Sequence, residues 1–260
     1  MLCAASSGLS SVALPRKLCY NDREKQARIP GKWVGGLRFP ERRIAGGMTV
    51  KLQIALDDLT LEQALRLASS VREYVDIVEI GTPFLYQYGM EAVRAMKHLL
   101  HDREVLADMK IMDAGAYEAG GAFEAGADYV TVLGVTDDAT VRGCIEAAER
   151  YGREIVVDML CVRDLPGRIA ELEALGAHGL AVHTGTDQQA AGRTPLDDLK
   201  LMKACAKRAK ISVAGGIRPE TLADYAALRP EVLIIGSGIC HAPDPVSAAR
   251  DIRAQMRAFC

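Results

Sequence analysis

Val105-Leu106-Ala107-Asp108-Met109-Lys110-Ile111-Met112-Asp113-Ala114-Gly115 closes an apolar run with an acid, an amine and a second acid. Asp108 and Lys110 stand two residues apart, so on a strand their side chains face the same way. A carboxylate and an ammonium at one strand terminus can bind a metal, hold an anionic intermediate or move a proton. A solvated strand-end ion pair has the same pattern, and this segment alone leaves both readings open.

The same kind of run recurs on both sides of it. KLQIALD, VDIVEIG, EVLADMK, DYVTVLG, EIVVDML, GLAVHTG, ISVAGG and EVLIIGSG begin near positions 51, 75, 104, 128, 154, 179, 210 and 231. Each is too apolar for a half-exposed hairpin strand and suits a parallel strand covered on both faces. The segments between them carry helix punctuation. Thr60 with Gln63 reads as a capping box, Asp244-Pro245 as N-cap and first helical residue, and Pro195 and Pro219 as openers of the helices that follow. Eight near-equal βα units predict a single small (β/α)8 barrel, the TIM-barrel class of α/β fold, over residues 48–260. A doubly wound open sheet is the alternative, since the pattern itself does not demand closure.

Residues 1–47 do not join the pattern. Asp22, Glu24 and the lack of an apolar h-region argue against a targeting peptide. The segment reads as an N-terminal extension, either a disordered tail or the product of an assigned start upstream of the natural one. We favour Met48 as that start, because Ala45-Gly46-Gly47 is what a purine-rich ribosome-binding site yields when read as codons.

Composition narrows the function. A formal charge of −2 gives no basic footprint, which argues against nucleic acid or an anionic membrane as partner. The seven cysteines are scattered without C-x-x-C spacing, so neither a disulfide framework nor a zinc site is expected and a reducing cytoplasm suits the chain. Glycine-rich dinucleotide, P-loop and Gly-x-Ser-x-Gly signatures are absent.

In a barrel of this class the reacting groups sit at the C-terminal ends of the strands. Those ends carry Asp57, Glu79, Asp108 with Lys110, Asp158 and His183, then Gly215-Gly216 and Gly236-Ser237-Gly238. Singly, each has a plain structural explanation: a helix cap, a core histidine, a tight turn. Together, four carboxylates around one lysine would repel strongly unless a cation joined them. Oxygen donors without a nearby thiolate suit Mg²⁺, with Mn²⁺ as a substitute. The glycine turns suit a phosphate. The pattern therefore points to a small sugar phosphate that chelates a metal.

VEIGTP, DMKIMDAG, VTVLGVTDDAT, VDML and VHTGTDQQAAGRTP occur in that order, and the chain from about Lys51 to its C-terminus resembles the 3-hexulose-6-phosphate synthases of the orotidine 5′-monophosphate decarboxylase suprafamily. The resemblance implies a reversible Mg²⁺-dependent aldol condensation of formaldehyde with D-ribulose 5-phosphate, giving D-arabino-hex-3-ulose 6-phosphate through an enediolate. It implies Glu79 and Asp108 as metal ligands, Lys110 as pocket lysine and His183 in proton transfer. It further implies Asp57 and Asp158 on substrate hydroxyls, and Gly215, Gly216, Gly236 and Ser237 at the phosphate. Asp113 matches the acid that the suprafamily donates across a homodimer with shared active sites.

The alternative is 3-keto-L-gulonate-6-phosphate decarboxylase, similar in the same Asp-x-Lys-x-x-Asp element. Its pattern has Glu at the position of Asp158 and Arg at that of Thr186. Orotidine 5′-monophosphate decarboxylase itself fits poorly, because Glu79 stands where its second lysine would. A barrel that has lost catalysis and serves as a scaffold is disfavoured by the filled set of strand-end groups.

Overall fold

The computed structural model describes residues 50–259. The extension at 1–47 and the start at Met48 lie outside the described residues. Eight parallel strands close on themselves in sequence order: β1 (Lys51–Leu56), β2 (Ile77–Ile80), β3 (Glu104–Ile111), β4 (Tyr129–Leu133), β5 (Glu154–Asp158), β6 (Gly179–His183), β7 (Lys210–Ala214) and β8 (Val232–Ile235). Lys51 pairs with Val232 and Gln53 with Ile77, so β1 bonds both β8 and β2 and no edge remains. The open doubly wound sheet is therefore excluded.

Side-chain alternation divides each strand between two cores. Leu52, Ile54, Val78, Ile80, Val105, Ala107, Val130, Val132, Ile155, Val157, Leu180, Val182, Ile211, Val213, Leu233 and Ile235 are all buried in one apolar cluster that also includes the inner faces of the helices. The barrel interior is polar at its N-terminal end. There Lys51 bonds Glu104 at 2.6 Å and Lys210 bonds Glu154 at 2.7 Å, with the Lys51 ammonium 5.9 Å from the centre of the Tyr129 ring.

The two layers differ in what they contribute. Ile54→Ala should lower the unfolding free energy by about 2–5 kcal/mol through lost burial and a cavity. Lys210→Ala should cost under about 1 kcal/mol, because its partner is solvent-accessible. Urea titrations of the two variants test the contrast.

Helix punctuation is realised in the expected places with one exception. Thr60 Oγ1 accepts from the Gln63 amide at 3.3 Å, and Gln63 Oε1 accepts from the Thr60 amide at 2.9 Å. Asp244 Oδ1 accepts from the amides of Val246 and Ser247, both at 3.1 Å, with Pro245 as first residue of the helix Pro245–Arg257. Pro195 directly precedes the helix Leu196–Cys205. Pro219 does not open its helix. It stands in the turn before Thr221, which precedes Leu222–Ala226 and whose hydroxyl accepts from the Arg218 amide at 3.2 Å.

Among the described residues, no helix is long and apolar enough to cross a membrane.

Candidate active site

The C-terminal ends of β2, β3, β5 and β6 bring Glu79, Asp108, Lys110, Asp158 and His183 into one mouth. Asp108 is buried, and each of its oxygens is held. Oδ1 accepts from Thr131 Oγ1 at 2.7 Å, while Oδ2 accepts from Thr82 Oγ1 at 2.8 Å and Lys110 Nζ at 2.5 Å. The Lys110 ammonium also lies 3.3 Å from Asp158 Oδ2, the oxygen that meets His183 Nδ1 at 2.8 Å. A continuous line Asp108–Lys110–Asp158–His183 results.

Electrostatics sharpen this geometry. Burial disfavours the Lys110 charge, but the Asp108 and Asp158 carboxylates more than offset it and hold the ammonium pKa above its ordinary value. Burial likewise opposes the Asp158 charge. The His183 hydrogen bond and the Lys110 ammonium overcome that and lower its pKa, so it is ionised at neutral pH. An ionised carboxylate only accepts, which puts the imidazole proton on Nδ1 and leaves Nε2 as the basic nitrogen.

Glu79 behaves differently. It is buried, accepts from Gln53 Nε2 at 2.6 Å, and has its pKa pushed well above the usual carboxylate range by desolvation and then by the Asp108 charge. Asp57 keeps much of its surface open, yet desolvation in the crowded mouth and then the Asp108 charge raise its carboxyl as well. Two acids with raised pKa beside a third acid form a site that gains from a cation.

Gly81 explains how Asp57 fits beside β2. A Cβ there would collide with the Asp57 carboxylate and come within 2.7 Å of the Leu56 carbonyl. Across the mouth, Gly215 has φ +118 and a Cβ on it would approach the Thr184 carbonyl to 2.7 Å, so only glycine passes here without strain. Gly216 follows it, and Gly236 precedes the short helix Ser237–Cys240, whose Ser237 is exposed.

Asp113 stands apart from these groups. It is exposed, and its Oδ1 accepts from the Ala114 amide at 2.7 Å rather than meeting any residue of the mouth.

Sequence reasoning missed Gln53, Thr82, Thr131 and Gln189. Gln189 Nε2 donates to the Thr184 carbonyl at 2.7 Å within the segment after β6, and its Oε1 lies 2.8 Å from where a Cβ on Gly216 would stand. Polar residues at inward strand positions next to strand-end acids were the available signal for Gln53 and Thr131, since an inward polar side chain needs a partner.

An enzyme built on a (β/α)8 barrel is the class that this fold and mouth define. The orotidine 5′-phosphate decarboxylase / HUMPS family profile matches residues 50–252, and the chain belongs to that family. It is 48% identical over 207 residues to 3-hexulose-6-phosphate synthase of Staphylococcus aureus, covering 80% of this chain and 99% of that one. The crystal structure of 3-hexulose-6-phosphate synthase from Salmonella typhimurium superposes with a TM-score of 0.80 at 54% identity, over 81% of this chain and 100% of the other. That of 3-keto-L-gulonate-6-phosphate decarboxylase from Vibrio cholerae gives 0.73 at 30% identity, over 82% and 99%.

Proposed function

We propose that the chain condenses formaldehyde with D-ribulose 5-phosphate to D-arabino-hex-3-ulose 6-phosphate, reversibly and with Mg²⁺. The observation that carries this reading is the line Asp108–Lys110–Asp158–His183 in a carboxylate-rich barrel mouth. Similarity to curated synthases supports the choice of substrates.

The donor set fits a hard cation. Glu79 and Asp108 supply oxygens, and burial and then the Asp108 charge raise the Glu79 pKa. Among the described residues no group of three His, Cys, Asp or Glu side chains is assembled to hold a metal. Mg²⁺ commonly takes one or two carboxylates and completes its shell with water and substrate. Glu79 and Asp108 would hold it, and it would act as a Lewis acid toward the substrate oxygens.

The chain's own residues do the rest. Proton loss from C1 of the ketose phosphate leaves a 1,2-enediolate, whose negative charge the fixed Lys110 ammonium stabilises. C1 then attacks the formaldehyde carbon, forming the new C–C bond as the C2 carbonyl re-forms, and the formaldehyde oxygen takes up a proton. His183 Nε2 is the proton carrier, and Asp158 orients the ring and stabilises it when charged. Asp57 would engage substrate hydroxyls, and the turns at Gly215-Gly216 and Gly236-Ser237 would receive the phosphate.

Decarboxylation of 3-keto-L-gulonate 6-phosphate is the second reading, supported by the structural neighbour of that name. Thr186 argues against it. As first residue of the helix Thr186–Ala190 it is short and uncharged, so it would leave the enediolate free to meet an aldehyde.

The reading includes a homodimer with shared sites. Tyr86, Tyr117, Met112 and Val135 are 87%, 85%, 53% and 46% exposed. They stand in the loops and helices that follow β2, β3 and β4, and the exposed Asp113 stands in the loop after β3 next to Met112. Large apolar side chains in consecutive units suit a second copy of the chain. Mixing Asp113→Ala with Lys110→Ala subunits, each inactive alone, should regenerate partial activity in sites that combine one intact residue from each subunit. A mixture as inactive as its parents, or an active monomer, contradicts the shared site.

A further inference from the structure

Strands β3 and β4 do not pair as a regular ladder. Ala107 stands opposite Val130, and the next pair is Ile111 with Val132. Three β3 residues, 108, 109 and 110, therefore face a single β4 residue, Thr131. Extra residues of this kind bend a strand and re-aim its side chains. The bend falls on Lys110, whose φ of +48 puts a non-glycine residue in the left-handed region, a conformation that persists only when its surroundings hold it.

Thr131 supplies the hold. Its buried hydroxyl accepts from the Lys110 backbone amide at 2.9 Å and donates to Asp108 Oδ1 at 2.7 Å. A hydroxyl has one proton, so donation to the carboxylate fixes its direction and leaves a lone pair for the amide. One side chain thus ties both ends of the bulge. Thr82 bonds the carbonyl and Oδ2 of Asp108 at 2.7 and 2.8 Å, so it holds the first residue of the bulge, while the Lys110 amide at the other end is held by Thr131.

We infer that Thr131 is a positioning residue for the proposed condensation, pinning the β3 bulge that sets the Lys110 ammonium between Asp108 and Asp158. The inference rests on Lys110 and Asp108 being the working pair of that reaction. The plain alternative is that Thr131 is a β-branched strand residue whose hydroxyl merely satisfies its neighbours.

T131V and T131S separate the two. Valine keeps the shape and removes the hydroxyl; serine keeps the hydroxyl and removes a methyl. T131V should lower kcat by about 10- to 100-fold, as loss of a supporting hydrogen bond around reacting groups does, with little change in KM for ribulose 5-phosphate. T131S should recover most of the rate. Crystal structures give a readout independent of turnover: Lys110 should leave the left-handed region in T131V and keep it in T131S. If T131V does not fold, T131A removes the same hydroxyl and carries the same expectations.

A hydroxyl-free variant with an unchanged Lys110 backbone, or with the bulge lost and kcat intact, overturns the inference. If the unmodified protein fails to condense formaldehyde, the proposed reaction falls. The two crystal structures then still decide whether Thr131 holds the bulge.

Discussion

Replacing Lys110 by alanine should lower kcat for condensation by a factor of about 10² to 10³, the range seen when one stabiliser of developing negative charge is removed. The ammonium is fixed before substrate arrives by Asp108 at 2.5 Å and Asp158 at 3.3 Å, so little reorganisation is needed as the enediolate forms. Its raised pKa keeps it protonated throughout the neutral and mildly alkaline range. Steady-state kinetics with saturating formaldehyde test the expectation. A near-normal rate would make Lys110 only the ion-pair partner of two buried acids.

Exhaustive chelation should abolish turnover, and Mg²⁺, or Mn²⁺ in its place, should restore it. Glu79 makes this demand specific. Its carboxyl is protonated in the metal-free protein over a range where an ordinary carboxyl is not, because burial and the Asp108 charge oppose ionisation. A cation must displace that proton, so apparent metal affinity should rise with pH until Glu79 ionises unaided. The linkage has a second consequence. The folded protein binds this proton more tightly than the unfolded chain, so the stabilisation is fully present below the ordinary glutamate range and is lost as pH rises through the raised value. Metal-free protein should lose stability across that window, and divalent cation should return it. Thermal melts with chelator and with Mg²⁺ at several pH values measure both effects. Full activity after chelation, or a melting temperature indifferent to the cation, would remove the metal.

Most of the architecture was legible because parallel strands buried on both faces leave near-continuous β-branched runs. Ile155, Val157, Ile211 and Val213 are such residues and face the helices. Strand starts fell within two residues of the observed ones, the largest displacement being β2, which begins at Ile77 rather than near 75. Caps that depend on one side chain and nearby amides, as at Thr60 and Asp244, were equally readable. Pro219 was not, because a proline suits a turn as well as a first helical residue, and the turn won here.

The mouth was legible in its acids, its lysine and its histidine, since ionisable groups at strand ends are costly without a purpose. What held them was hidden. Thr131 looks in the sequence like any β-former, and nothing local shows that three residues of β3 face it alone. The alternation argument placed Asp108 and Lys110 together correctly, but the backbone reaches that arrangement through a left-handed residue. Gln53 acts across 26 positions on Glu79, a contact that only the packed strands reveal, and Gln189 turns back on Thr184 five positions earlier, a local contact that no hydrophobic pattern marks.

One comparison tests the central claim most directly: kcat/KM for formaldehyde consumption with ribulose 5-phosphate, against kcat/KM for CO₂ release from 3-keto-L-gulonate 6-phosphate, in the same Mg²⁺ buffer. Both reactions pass through a 1,2-enediolate of a pentulose 5-phosphate and differ in whether an aldehyde or a proton captures it. With Thr186 and Asp158 in place, condensation should exceed decarboxylation, and a low decarboxylase rate should accompany it because the two intermediates are of the same kind. Faster decarboxylation than condensation by the unmodified protein would contradict the synthase reading and put the decarboxylase in its place.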